Sequence, residues 1–298
     1  MRGAVTGTHG FVGSRLVRCL VERGDDVVKL VRRDPAGPGE VRWDPDAGTV
    51  DAAGIEGLDY VVHLAGANIG ARPWTPGQRR RIRDSRVRGT ETIARAIANL
   101  PSPPSTLLSA SANGFYGHRG EDVLDESAGP GEGFRAEVCR AWEAATKPAE
   151  DAGIRVAHLR SGLVLSRHGG LFPFLSLWRI VPRLGKGNQW WSWITLEDEV
   201  DAIVHLINRT DLVGAFNLTA PRPLRQAEFA AALAEVKHGL ALPVPAPFLK
   251  LALGPARARE VLLSSERVIP ARLLASGYVF HHEDLAAALK AIYSAEGA

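Results

Sequence analysis

Three glycines in the run Ala4-Val5-Thr6-Gly7-Thr8-His9-Gly10-Phe11-Val12-Gly13 are the residues of this chain best suited to hold phosphate. Between a strand and a helix, each has a separate task. Gly7 permits the tight turn, Gly10 lets the backbone approach a pyrophosphate, and Gly13 lets the helix close on the strand. The helix then offers free N–H groups and a partial positive charge to the anion. A purely structural turn is the plainer alternative. The next apolar run ends Leu30-Val31-Arg32-Arg33. An acid at that strand end would bond a ribose 2′-hydroxyl, whereas two guanidiniums suit a 2′-phosphate. Arg32 and Arg33 therefore predict NADP(H) over NAD(H). Asp34 speaks against it, and a solvated arginine pair is the alternative.

Such residues need a scaffold, and the first half of the chain supplies one. Short apolar runs at 3–6, 27–31, 60–64, 106–109 and 156–159 alternate with helical patterns, notably 75–100 and 134–151. That alternation predicts parallel βαβ units. The first helix carries Val12, Leu16, Cys19 and Leu20 on one face, near helical period. After Arg160 aromatics and glycines crowd 169–193; a strand and helix return at 193–208, then a strand at 215–218. The tail is helical, with an extended piece near 278–280. The fold class expected is α/β, a Rossmann-type doubly wound parallel sheet with a second, smaller α/β domain. The expected division is 1–165 with a return segment 195–222 for the nucleotide domain, and 166–194 with 223–298 for the substrate-side domain.

The totals set outer bounds. A chain of 298 residues suits one large α/β domain with a smaller companion. Its 45% hydrophobic and 23% charged residues are an ordinary globular balance. A net charge of +3 is too small to imply a nucleic-acid partner. Two distant cysteines, Cys19 and Cys139, give neither a disulfide framework nor metal-ligand spacing. The sequence offers no signal-peptide pattern and no apolar run long enough for a membrane span. A soluble, cytoplasmic protein with no membrane partner is expected, and an oligomer is open.

The residues described so far, with His63-Leu64-Ala65-Gly66, resemble the extended short-chain dehydrogenase/reductase superfamily. Several further motifs resemble its atypical "epimerase family" branch. They are Ala65 to Ile69, Arg72 with Trp74, Ser85-Arg86, Ser109 to Gly117, Trp142-Glu143, Arg160 to Leu165, Gln189 to Ile194 and Arg267 to Pro270. The match spans nearly the whole chain. The resemblance implies NADP(H) as cofactor, with Gly7, Gly10, Phe11, Val12 and Gly13 at the pyrophosphate and Arg32 and Arg33 at the adenosine phosphate. It also implies Leu64, Ala65 and Gly66 along the strand end, Arg86 projecting toward the cofactor, and Val164 on the nicotinamide side. Two departures stand out: His9 inside the glycine turn, and Pro73 between Arg72 and Trp74.

The superfamily's proton path needs Ser, Tyr and Lys, the last two four residues apart on one helix face. Counting from Phe115-Tyr116-Gly117 puts the Ser position on Ala112; counting from Glu143 puts Tyr and Lys on Arg135 and Cys139. No register restores Tyr-x-x-x-Lys. Tyr116 remains as a weak candidate proton donor, with packing or substrate positioning as its alternative. Ser109 and Ser111 flank the lost serine; Ser109 is expected to end its strand on a backbone bond. Glu143 reads as a structural partner and Cys139 as buried packing.

Other clusters are weaker. The arginines at 79–81, 83, 86 and 88 read as a solvated helix face with one cofactor-facing member, Arg86, since aromatics for nucleic-acid recognition are lacking. His281-His282 with Glu283-Asp284 lacks zinc spacing, and no metal is expected. Trp190, Trp191 and Trp193, beside Gly185 to Asn188, are either core or an aromatic wall for a substrate. The reading is an NADP(H)-binding oxidoreductase or epimerase-like enzyme for a small molecule, without the usual triad. The rival is a non-catalytic NADP(H)-binding sensor.

Overall fold

The computed structural model describes residues 1–175 and 179–294. Positions 176–178, inside the glycine- and aromatic-rich stretch, and 295–298, at the end of the expected second segment, lie outside the described residues. The main sheet has eight strands: β1 (Arg2–Thr6), β2 (Asp26–Val31), β3 (Glu40–Asp44), β4 (Thr49–Val50), β5 (Tyr60–His63), β6 (Thr106–Ala112), β7 (Arg155–Ser161) and β8 (Gly214–Leu218). Their spatial order is β8-β7-β6-β5-β1-β2-β3-β4. All neighbours are parallel except the edge strand β4, which runs antiparallel to β3. The chain leaves β1 toward β2 on one side and continues from β5 toward β6 on the other. A crevice opens at that reversal, beyond the strand ends.

Alternation along each strand builds two cores. Val5, Val62, Leu108, Leu159 and Phe216 face α1 (Phe11–Glu22) and α4 (Leu196–Asn208), which add Leu16, Leu20, Ile203 and Leu206. Ala4, Val61, Leu107 and Val156 face the other way, onto Ile93 and Ile97 of α2 (Pro76–Ala98). Both faces are covered, so the strands read as continuous apolar runs. Thr75 caps α2 by accepting the Gln78 N–H at 3.2 Å. The expected helix over 134–151 is divided into α3 (Phe134–Ala144) and Lys147–Asp151. Pro148 explains the division: it has no N–H to continue the ladder and suits a helix's first turn.

A third core gathers Phe172, Leu175, Trp191 and Trp193 with Phe229 and Leu233 of α5 (Gln226–Val236) and Leu289 of α6 (Leu285–Ser294). Strand Leu163–Leu165, paired with Trp193–Thr195, joins it to the sheet. Two strands escape the sequence reading. β3 and β4 were not anticipated, because Val41 and Trp43 alternate with exposed or half-exposed neighbours inside a Gly-, Pro- and Asp-rich stretch. Residues 278–280 form no strand; Tyr278 stacks edge-on against Phe280 at 4.8 Å and donates its hydroxyl to Asp198 O at 3.0 Å. Among the described residues, no helix is long and apolar enough to cross a membrane.

Candidate active site

The glycine turn closes β1 onto α1. Gly7 has φ +71°, in the left-handed region, and a Cβ there would lie 2.9 Å from Leu64 C. A Cβ on Gly13 would lie 2.3 Å from Gly7 O, so the helix can meet the turn only through glycine. Gly10 donates its N–H to Gly7 O at 2.9 Å and caps α1. Thr6 holds the facing turn: Oγ1 accepts the Leu64 and Ala65 N–H groups at 3.0 and 3.1 Å. Its own hydrogen then goes to His63 Nδ1, 2.9 Å away. That imidazole is neutral, since burial pushes its pKa down to about 3.

Beside this cradle is a cavity of about 630 Å³, bounded by Gly7 to Gly10, Leu64 to Ala67 and Arg32. Arg81 and Arg88 of α2 also reach it. Both are exposed, as expected of a solvated helix face, and both border the cavity. Arg33 does not enter the cavity. It is bound by Glu40 through two 2.7 Å bonds, and that fork holds the Glu40 carboxyl down at about 2. Of the expected arginine pair, Arg32 lines the cavity, and Arg33 is held outside it by Glu40. Asp34 is taken up by Arg42 at 2.6 Å. Phe11 and Val12 pack against the main core, and the Phe11 ring lies under Gly169, whose added Cβ would meet it at 2.6 Å. Any pyrophosphate contact of these two residues is through their backbone N–H groups.

A second cavity, about 250 Å³, lies past the ends of β6 and β7. Ala112, Ser161 and Gly162 form one side, Arg135 and Cys139 of α3 another, and Trp190 and Trp191 the wall opposite. Arg86 lines this cavity rather than the first. It donates to Ala67 O at 3.0 Å and Ile82 O at 3.1 Å, and stacks over Trp142 at 4.9 Å. Among the described residues its guanidinium has no carboxylate partner, and desolvation lowers its pKa. Val164 turns its side chain into the main core; Leu163, one residue before, faces the cavity. Of the three tryptophans, Trp193 is fully buried in the third core and does not line it.

The residues at the expected triad positions cannot perform triad chemistry. Arg135 is fixed by Glu266 at 2.8 Å and by Asn113 Oδ1 at 3.0 Å. Burial pushes the Cys139 thiol up to about 11, so it carries a proton at neutral pH. Tyr116 is corrected most sharply. It is 0% exposed, donates to Asn217 Oδ1 at 2.7 Å and accepts from Arg160 Nη1 at 3.0 Å. Its hydroxyl is consumed by the core, and burial raises its pKa. Glu143 binds Arg160 twice, at 2.8 and 2.9 Å, and accepts from Ser111 Oγ at 2.7 Å. Ser109 does not end its strand, which runs on to Ala112, and its buried hydroxyl has no hydrogen-bond partner among the described residues. His281 and His282 lie against Asp201 and Asp198, at 2.8 and 3.7 Å.

One pair escaped sequence reasoning. Ser161, at the end of β7, donates to Glu199 Oε1 at 2.5 Å. Glu199 lies on α4 and is 2% exposed. The available signal was its spacing: with Ala202, Ile203 and Leu206 it sits on the apolar stripe of an amphipathic helix, where a carboxylate is costly.

The profile of the NAD dependent epimerase/dehydratase family matches residues 4–218, and that of a domain of unknown function, DUF1731, matches 244–292. An epimerase family protein of Mycobacterium leprae is 39% identical over 291 residues, covering 96% of this chain and 94% of that protein. The crystal structure of the human epimerase family protein SDR39U1 with NADPH superposes with a TM-score of 0.90 at 32% identity, covering 99% of each chain. A nucleoside-diphosphate sugar epimerase structure from Corynebacterium glutamicum is 35% identical with a TM-score of 0.79, covering 97% of this chain and 57% of that one. With a glycine cradle at the sheet's reversal and a family profile running from β1 through β8, the chain belongs to the NAD dependent epimerase/dehydratase family.

Proposed function

We propose that this protein binds NADP(H) and acts as an oxidoreductase or epimerase-like enzyme on a small molecule, without the Ser-Tyr-Lys path. The observation that carries the reading is the cradle of Gly7, Gly10 and Gly13 opening onto a cavity flanked by Arg32, Arg81 and Arg88. Gly7, Gly10 and the N–H groups of Phe11, Val12 and Gly13 would hold the pyrophosphate, with Leu64, Ala65 and Gly66 along the opposite lip. Arg32, helped from α2, would hold the 2′-phosphate. The NADPH of the related human structure supports the same choice. When bound, the cofactor supplies two-electron chemistry at its nicotinamide. The chain's own residues provide a mostly apolar cavity of about 250 Å³, with Arg86 in its lining. Segments 166–194 and 223–298 would form the substrate-side part, and both cysteines are free, as suits a reducing compartment such as the cytoplasm.

Calorimetry with NADPH and NADH tests the reading. Tighter binding of NADPH supports it, and equal affinities or no binding would sink it. Cofactor binding without substrate-dependent change at the nicotinamide across small carbonyl and alcohol panels would favour a sensor over an enzyme.

A further inference from the structure

The smaller cavity lacks the tyrosine and lysine that move protons in this fold, yet a buried acid stands directly behind one of its lining residues. Ser161 lines the cavity, and its Oγ is 2.5 Å from Glu199 Oε1. The other carboxyl oxygen, Oε2, is buried without a hydrogen-bond partner. We propose that Ser161 and Glu199 form a proton-exchanging pair, in which the Glu199 carboxyl stores one proton and the Ser161 hydroxyl is its route to the cavity. This rests on the cofactor reading above and gives the same site its missing acid.

The geometry accommodates the proton on either side. With the carboxylate ionised, Ser161 donates to it. With the carboxyl protonated, Oε1–H donates to Ser161 Oγ, which turns its own hydrogen into the cavity. When an occupant's oxygen takes that hydrogen, one O–H bond forms as the Ser161 O–H breaks. Ser161 Oγ then takes the Glu199 proton, leaving a carboxylate. One proton has moved, and the hydroxyl is restored. A positive charge entering the cavity acts in the same direction, because it favours the ionised carboxylate.

The surroundings leave the carboxyl free to respond. Burial pushes it up to about 8, against the pull of the Ser161 bond. Among the described residues, no cation is paired with it. From β7 it meets Ser161, and β6 contributes the apolar Leu108 to the same core. On α1, Cys19 is affected by Asp201 rather than by Glu199. Tyr278, packed across α4, feels the Glu199 charge, but its hydroxyl is given to Asp198. On α4 itself, Asp198 is held by Thr195 Oγ1 at 2.8 Å and by the His281 N–H at 2.8 Å, and Asp201 pairs with His281.

The test counts protons rather than turnover. NADP⁺ and NADPH are titrated into the full chain at pH 7 in two buffers of different ionisation enthalpy. The 2′-phosphate is common to both and cancels. The positive ring of NADP⁺ is expected to release roughly half a proton more than NADPH, as a one-unit fall in the carboxyl's pKa requires. Glu199→Gln should erase the difference, and Ser161→Ala should cut it by more than half, with Ser161→Thr restoring it. Should Glu199→Gln fold poorly, the two Ser161 variants give the same comparison. Equal proton counts for the two cofactors in the wild type, or a difference that survives Glu199→Gln, would overturn the pair while leaving the cofactor reading intact. No binding of either cofactor overturns both.

Discussion

Arg33 and Glu40 are locked together by two parallel 2.7 Å bonds, so two adjacent arginines of the same type have different work. The fork turns Arg33 onto β3 and leaves Arg32 at the cavity. Arg32→Ala should therefore weaken NADPH by about tenfold or more and leave NADH nearly unchanged, since a charge-assisted bond is worth about 1.5–3 kcal/mol. Arg33→Ala should leave the NADPH preference within about twofold. Calorimetry on both variants checks this, and loss of preference in Arg33→Ala alone would reverse the assignment.

The glycine turn gives a graded prediction. A Cβ at Gly13 would fall 2.3 Å from the backbone oxygen of Gly7, whereas one at Gly10 would fall 3.2 Å from the same atom. Gly13→Ala must push α1 off the turn, at a cost of about 2 kcal/mol or more, and should abolish NADPH binding. Gly10→Ala should fold nearly as well as the wild type and bind NADPH more weakly. Melting temperatures with and without NADPH separate the two effects.

Tyr116→Phe should cost about 1–2 kcal/mol of stability through the lost bonds to Asn217 and Arg160. NADPH affinity should not change, because the hydroxyl faces the core and not the crevice. Denaturant unfolding and calorimetry on one preparation test both halves. A variant of full stability with altered cofactor binding would contradict the burial described for it.

Two buried groups set opposite pH trends. The Glu199 carboxyl is raised from 4.5 to about 8 in the folded chain, so the native state holds a proton that the unfolded chain gives up earlier. Its contribution is fully present below pH 4.5 and is lost as pH rises through 8. His63 is lowered from 6.5 to about 3, so its contribution is present above pH 6.5 and lost as pH falls toward 3. Glu199→Gln should flatten the decline of melting temperature between pH 5 and 8 while leaving the acid limb unchanged. A wild-type curve with no decline across that window would contradict the buried, protonated carboxyl.

Local periodicity made much of the fold legible. The apolar runs, the long helix of 75–100 and the glycine turn are decided by neighbours within a few residues, and each is in its expected place within a residue or three. β3 was hidden because an edge strand half open to water carries only two inward residues, Val41 and Trp43. The break before Lys147 was written in Pro148, but the helical spacing on both sides obscured it.

The sequence by itself determined the family, the βαβ scaffold, the phosphate turn and the loss of Tyr and Lys from α3, because those are matters of residue type and short spacing. Only the tertiary structure decided which polar groups meet. Tyr116 finds Asn217 across 101 positions, Arg160 finds Tyr116 across 44, and Ser161 finds Glu199 across 38. Those partners are set by strand order and by the face of the sheet on which each side chain emerges. A side chain's chemistry depends on its burial and its partner, so the tyrosine that looked available is spent in the core. The buried acid beside the cavity came into view only when α4 was laid against the end of β7.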